Sequence, residues 1–277
     1  MINLLKVDLK RIVKDKLFFV TCIIGLVFSI ITPLLYKILF SGFIGDGGDD
    51  IFSMFFSFEA MFFGSFSLTN DFGLIVPILL LIIIAKDFSF GTIRNKIISG
   101  HSRSKIFLSM FFSTAITIVG VMLVHSLLSG ALTLLLFPNF ITDFTSEMLK
   151  YFILSICFEI LVLIFIAALL SFLVVFMKNV GLAIITYVAI ILLSTAFVGV
   201  MQIAIELLSL EPESYKTTVD ILTELLRINV FYNNSTVIGL KQEYIDNDIL
   251  YIILSTVSGI GVFSGFGLLV FNKKDIK

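Results

Sequence analysis

Five stretches of this 277-residue chain run for more than twenty residues with almost no charge. They are Leu17–Phe40, Ile106–Phe137, Tyr151–Met177, Val180–Leu210 and Ile249–Phe271, broken only by Lys37, His125, Glu159 and Glu206. A bilayer core of about 30 Å is crossed by about 20 helical residues, so each run is long enough to span it. In the fourth of these, residues 180–208 are taken as the spanning part. Unbroken apolar runs also exclude a transmembrane β-barrel, whose strands alternate in polarity. A sixth span is shorter. Phe72–Ala85 holds 14 uncharged residues, and extending it back to Phe66 reaches about 30 Å of helix while taking in Asn70 and Asp71. Pro77 is expected to kink it. The span is needed because without it two strongly basic segments would lie on opposite sides of the membrane.

The spans account for a composition of 58% hydrophobic and 14% charged residues, against about 45–50% and about 25% in a soluble domain. A disordered chain is excluded by the same numbers. The expected fold is an all-α polytopic membrane protein, a single transmembrane domain over residues 1–277 with six spans near 17–40, 66–85, 106–137, 151–177, 180–208 and 249–271. No repeat, linker or second domain is visible.

Net charge is −1, which predicts no nucleic-acid partner. The charge is nevertheless sorted. Six spans put both termini on one side, and that side collects Lys6, Lys10, Arg11, Lys14, Lys16, Lys86, Arg94, Lys96, Arg103, Lys105, Lys178, Lys273, Lys274 and Lys277, which is 14 of 19 basic residues. Its acids are Asp8, Asp15, Asp87 and Asp275. The basic side is therefore expected to be cytoplasmic, and the lipid bilayer is the first partner. No A-x-A-like cleavage site precedes or follows the first span, so it reads as an uncleaved anchor.

Within residues 1–16, Ile2, Leu5, Leu9 and Ile12 recur at helical spacing, and Lys6, Lys10 and Lys14 mark another face. This is the pattern of an amphipathic helix on the inner leaflet; an orientation signal alone is the plainer alternative. On the other side, Gly45–Asp50 reads as a flexible loop, and the Phe-rich Ile51–Phe66 is expected to pack on the bundle. In the segment 209–247, Pro212 and the spacing of Val219, Leu222 and Leu226 predict one or two short amphipathic helices. Cys22 and Cys157 stand in apolar runs and read as buried thiols, offering neither a disulfide framework nor a zinc site.

The loop Lys86–Lys105 carries the most information. Gly91 breaks the helix of span 2, Thr92 is a candidate N-cap for a short helix Ile93–Ser99, Gly100 is a left-handed stop, and Ser102 is placed to cap span 3. Ile93, Ile97 and Ile98 give the short helix an apolar face, and Arg94, Lys96 and Arg103 are positive. A helix joined so tightly to two spans can transmit a push from a partner to the bundle. This stretch resembles the first cytoplasmic loop of type-2 ABC exporter permeases. That family places an acid after span 2, then Gly-Thr or Gly-Ser, a short basic and apolar helix, and Ser-Arg before span 3. Asp87, Gly91, Thr92, Arg94, Ser102 and Arg103 match, with Asp87 where Glu is commoner. The resemblance extends to the N-terminal helix, the six spans and the long segment before the last one.

The resemblance implies that Asp87, Gly91, Thr92, Arg94, Lys96, Ser102 and Arg103 couple the chain to an ABC ATPase subunit, and that a second permease pairs with it as homo- or heterodimer. The chain itself has no G-x-x-x-x-G-K-[ST] motif, so it is expected to bind no cofactor, with ATP and Mg²⁺ on the partner. Neither H-E-x-x-H nor G-x-S-x-G occurs, so the chain is not read as an enzyme. A non-transporting scaffold or sensor subunit is the alternative class. Family members move peptides, drugs, lipids, polysaccharides and ions, and the Phe-rich interior suits an amphipathic or apolar cargo, a peptide or hydrophobic toxin, exported or kept out for self-protection.

Intramembrane acids default to functional candidates. Glu159 has two open roles, lining a polar translocation path or hydrogen-bonding a neighbour such as His125 or a Ser or Thr. His125 has the same choice between packing and transport. Asp71 and Glu206 lie near span ends. In the last span Gly261-x-x-x-Gly265 is a close-packing motif, for contacts within one chain or between two.

Overall fold

The computed structural model describes residues 1–40, 57–137, 146–177, 179–210, 212–238 and 242–273. Among them the regular structure is entirely helical: α1 (Ile2–Lys14), α2 (Lys16–Phe40), α3 (Phe58–Gly64), α4 (Asp71–Ser89), α5 (Thr92–Ile98), α6 (Arg103–Leu136), α7 (Ser146–Phe176), α8 (Val180–Ser209), α9 (Pro212–Arg227), α10 (Val230–Ile238) and α11 (Gln242–Lys273). Six of these, α2, α4, α6, α7, α8 and α11, are long and apolar enough to cross a membrane. The expected Gly45–Asp50 loop, the Ile51–Phe56 part of the Phe-rich segment, and Lys178, Lys274 and Lys277 lie outside the described residues.

The six long helices fall into two groups. More than half of the apolar stretch of α4, α6 and α7 is buried, against a quarter or less in α2, α8 and α11. Phe19, Ile38, Leu135, Ile185, Leu193 and Leu269 are among the side chains that point outward. A water-soluble protein does not leave so much contiguous apolar surface open, whereas hydrocarbon accepts it without loss. Cys157 also faces outward from α7, contrary to the expectation that both thiols are buried; neither cysteine is in a disulfide.

The sixth span differs from its expected limits. The chain does not run as one helix from Phe66. It turns through residues 65–70, α4 begins at Asp71, and it continues past Ala85 to Ser89. Its 19 residues still cover about 28 Å. The turn is folded back on α4, with the Ser67 carbonyl against the Gly73 backbone, where any Cβ would collide with it. The described part of the Phe-rich segment does pack on the bundle: Phe62, Phe63 and Phe66 are fully buried, and Phe62 and Phe63 lie 5.3 and 5.1 Å from the ring of Phe152 on α7. The two short helices expected in 209–247 are α9 and α10, with Leu226 buried and Val219 and Leu222 partly so.

In α11 the glycines that pack within the chain are not Gly261 and Gly265. A Cβ on either would meet nothing within 4 Å, whereas one on Gly259 would lie 2.6 Å from the Phe165 ring and one on Gly267 2.5 Å from the Phe107 ring. Phe107 is fully buried, with its ring tilted against that of Phe271 at 6.2 Å, so it has no room to swing away. Gly267→Ala is expected to destabilise by roughly 1–3 kcal/mol through overpacking. Gly261→Ala is expected to be neutral or stabilising by up to about 1 kcal/mol, since alanine is the better helix former. Unfolding midpoints of the two variants in detergent test the contrast.

Candidate functional site

The loop of interest is built from three helices joined by two glycines. Phe90 closes α4 by donating its N–H to the Lys86 carbonyl at 2.9 Å. Gly91 then turns the chain at φ +68°, a left-handed conformation that side chains with a Cβ resist. The Gly91 carbonyl accepts the first bond of α5, from Asn95 N–H at 3.0 Å. Thr92 is therefore the first residue of the helix and not its cap, because the glycine already supplies the change of direction. Gly100, at φ +85°, ends α5 with paired bonds from Gly100 N–H to Ile97 O at 2.9 Å and His101 N–H to Lys96 O at 3.2 Å, a Schellman closure. Ser102 stands at the N-cap position of α6, extended at φ −65°, ψ 145°, without a side-chain cap bond. Arg103 is half-buried. It donates to the carbonyls of Phe271 at 3.4 Å and Asn272 at 2.9 Å, tying the start of α6 to the end of α11.

The inner face of α5 buries Ile93 and Lys96. Beneath it lies a cluster of charges drawn from α1, α4, α5 and the junction between α1 and α2, with a hydroxyl from α6. Lys96 Nζ donates to Asp8 Oδ1 at 2.5 Å, and the other oxygen of Asp8 accepts from Ser109 Oγ at 2.5 Å. Lys96 also lies 3.8 Å from Asp87 Oδ2, and Asp87 is ion-paired with Arg11. At the edge, Lys86 Nζ reaches both oxygens of Asp15 at 2.8 Å, while Asp15 also accepts the Leu17 N–H at 2.8 Å at the start of α2. Asp8 and Asp87 are almost completely enclosed. Three acids are thus matched by three bases, which is what makes burial of so much charge tolerable. Burial pulls the Lys96 ammonium below the ordinary lysine range, with Asp8 opposing. It pulls the Arg11 guanidinium down as well, against Asp8 and Asp15. Asp15 is pushed up by burial, but the Lys86 and Leu17 bonds and the nearby Lys86 and Arg11 charges leave it below the usual carboxylate range.

The outer face of α5 is the opposite in character. Arg94 and Ile98 stand one turn apart on it, both exposed, Ile98 at 73%, and Phe90, at the end of α4 just before the Gly91 turn, is exposed at 76%. The expected apolar face is therefore divided: Ile93 is buried, Ile97 half-buried and Ile98 points away. Of the residues singled out from sequence, the loop brings Asp87 and Lys96 together inside the cluster, leaves Arg94 outside, turns at Gly91 with Thr92 as the first residue of α5, and starts α6 at Ser102.

Glu159 and His125 have separate partners. His125 Nδ1 is 3.1 Å from the Gly25 carbonyl of α2, and its ring lies 4.3 Å from that of Phe72. Glu159 is fully buried and accepts from Asn234 Nδ2 of α10 at 2.8 Å. The same amide reaches the Phe66 carbonyl at 3.4 Å and accepts the Leu68 N–H at 3.3 Å. Asn234 therefore satisfies the backbone of the non-helical turn before α4 as well as the acid on α7. Next to it, Asn233 donates to Ser255 Oγ at 2.9 Å and to the Arg227 carbonyl at 3.0 Å, and Arg227 pairs with the buried Asp248 at 2.8 Å. Glu206 is exposed near the end of α8.

Asp8, Arg11, Asp15, Lys86, Ser109, Asn233 and Asn234 were not singled out from sequence. One signal for Asp8 was present: it continues the Leu4–Asp8–Ile12 stripe of an otherwise basic and apolar helix. Among the described residues no three His, Cys, Asp or Glu side chains gather to hold a metal ion. The arrangement defines a multi-pass helical protein with membrane-length spans and a short helix fixed across one end by buried ion pairs. No protein-family model, curated protein or solved structure matches the chain.

Proposed function

We propose that this chain is the membrane-spanning permease subunit of an ATP-driven exporter of the type-2 ABC kind. It moves an amphipathic or hydrophobic substrate, peptide-like or lipid-like, out of a bacterial cell, using ATP and Mg²⁺ held by a separate ATPase subunit. Both termini face the cytoplasm, and two permeases pair, alike or related. The observation that carries this reading is the division of α5 into two faces. Its inner face is locked by the Lys96 ion pairs to Asp8 of α1 and Asp87 of α4, with Ser109 of α6 hydrogen-bonded to the same Asp8, and its outer face offers a ridge of Arg94 and Ile98 to a partner, with Phe90 exposed at the neighbouring end of α4. A load applied to that ridge passes through Gly91 and Gly100 into two spans with no slack linker between. The Asp87, Gly91-Thr92, Arg94 and Ser102-Arg103 pattern supports the same assignment.

An ATPase fit for this ridge has an apolar pocket for Phe90 and Ile98 and an acidic rim for Arg94. The test is retention of a purified cognate ABC ATPase, sought among the proteins encoded beside this chain. The double variant Arg94→Glu/Ile98→Asp is expected to weaken retention at least about tenfold, the effect of losing one interface anchor of about 1.4 kcal/mol. Undiminished retention sinks the docking assignment, and an adjacent sensor kinase with no ATPase favours the scaffold or sensor reading.

A further inference from the structure

Helix α1 has three faces. Leu4, Asp8 and Ile12 are buried against the bundle, and Arg11 joins them. Lys6, Lys10 and Lys14 form a second stripe at four-residue steps, all exposed. Between these two faces lie Leu5 and Leu9, half-buried, and then the exposed Ile2 and Val13. The two acids in or next to α1 are both committed elsewhere. Asp8 holds Lys96 and Ser109, and Asp15 holds Lys86. Ion pairing among the described residues thus engages Arg11, Lys86, Lys96 and Arg227 and leaves the three-lysine stripe unneutralised. The first membrane-length helix starts at Lys16, two residues beyond the end of α1. That short connection holds the stripe at the bilayer boundary.

We propose that Lys6, Lys10 and Lys14 form a binding surface for the headgroups of anionic phospholipids, with Ile2 and Val13 seated at the top of the acyl region. The chemistry is that of a basic amphipathic helix on an anionic leaflet, in which apolar contact and headgroup attraction add. A protein ligand with an acidic strip is less well suited, because the neighbouring Ile2 and Val13 would then be left exposed beside the membrane. The inference uses only the membrane fold and the charge pattern of α1, and stands or falls separately from the exporter reading.

The chain contains no tryptophan, so Val13→Trp introduces a single fluorophore at an exposed site next to the stripe. The protein is reconstituted in phosphatidylcholine vesicles carrying either brominated phosphatidylglycerol or brominated phosphatidylcholine. The anionic quencher is expected to be at least about fivefold more effective per mole, the factor given by the attraction of a single lysine to an anionic surface. The preference is expected to shrink in about 1 M salt, where the Debye length is about 3 Å. It is expected to disappear in the Lys6→Gln/Lys10→Gln/Lys14→Gln variant and to persist in the matching arginine variant. Equal quenching by the two lipids in the Val13→Trp protein, or a preference that survives the triple glutamine change, overturns the proposal. The first of these comparisons needs no further variant, so poor folding of the triple change does not blunt the test.

Discussion

Lys96→Met is expected to destabilise the protein by about 3–5 kcal/mol, the penalty for removing one partner from a buried ion pair. Lys96 is the base that separates Asp8 from Asp87, lying 2.5 Å from one and 3.8 Å from the other. Without it, two enclosed carboxylates face each other with only Arg11 between them. Asp8→Leu carries a comparable penalty from the other direction, leaving two bases for one acid and taking the acceptor from the buried Ser109 hydroxyl. The double variant Asp8→Leu/Lys96→Met is expected to be more stable than either single one, because the Arg11–Asp87 pair then remains balanced. A double-mutant cycle in detergent should give a coupling of about 2–3 kcal/mol; additive losses would show that the pair is not a unit. Loss of the latch should also be visible locally. Hydrogen exchange across Ile93–Ser99 is expected to accelerate in Lys96→Met and to slow again in the double variant.

The latch illustrates where sequence reading reaches and where it stops. Hydropathy located the long helices within a few residues, because span length is dictated by bilayer thickness and every backbone polar group must be bonded within its own helix. Gly100 and Ser102 were legible for similarly local reasons. A left-handed stop and an N-cap position are set by neighbours one to four residues away. In the sequence Lys96 counts only as one of the positive residues of the loop, and its burial in an ion pair rests on a long-range fact. Its partner Asp8 is 88 residues distant, and no spacing rule connects them. Thr92 was misread because two devices compete at that point: a side-chain cap and a left-handed glycine both start a helix, and Gly91 at φ +68° made the cap unnecessary. The start of the second span was placed too early because Phe66 and Leu68 are apolar enough to pass for membrane helix. They are buried, but as a turn whose backbone is satisfied from elsewhere.

That turn sets up the other large effect. Asn234→Leu is expected to destabilise by at least about 3 kcal/mol, since each buried polar group left without a partner costs about 1–3 kcal/mol. Three groups lose their partner together: the Glu159 carboxyl, the Phe66 carbonyl and the Leu68 N–H. No water can replace the amide, because Glu159, Phe66 and Leu68 are all sealed from solvent. Glu159→Gln should behave quite differently. A glutamine carbonyl still accepts from Asn234 Nδ2 without the burden of a buried acid, so stability is expected to stay within about 1 kcal/mol of the parent. On the proposed exporter reading, the pair of variants separates the two roles open to Glu159. If the acid acts by holding α10 between α7 and α11, Glu159→Gln keeps both the fold and transport, and Asn234→Leu loosens α10 and impairs both. If the carboxylate itself meets cargo when the bundle opens, Glu159→Gln lowers transport while the unfolding midpoint stays put. Midpoints in detergent and transport in vesicles, measured on the same preparations, decide between them. The geometry favours the first outcome, because Glu159 is fully enclosed and its one amide partner also carries the backbone of the turn that starts the shortest span.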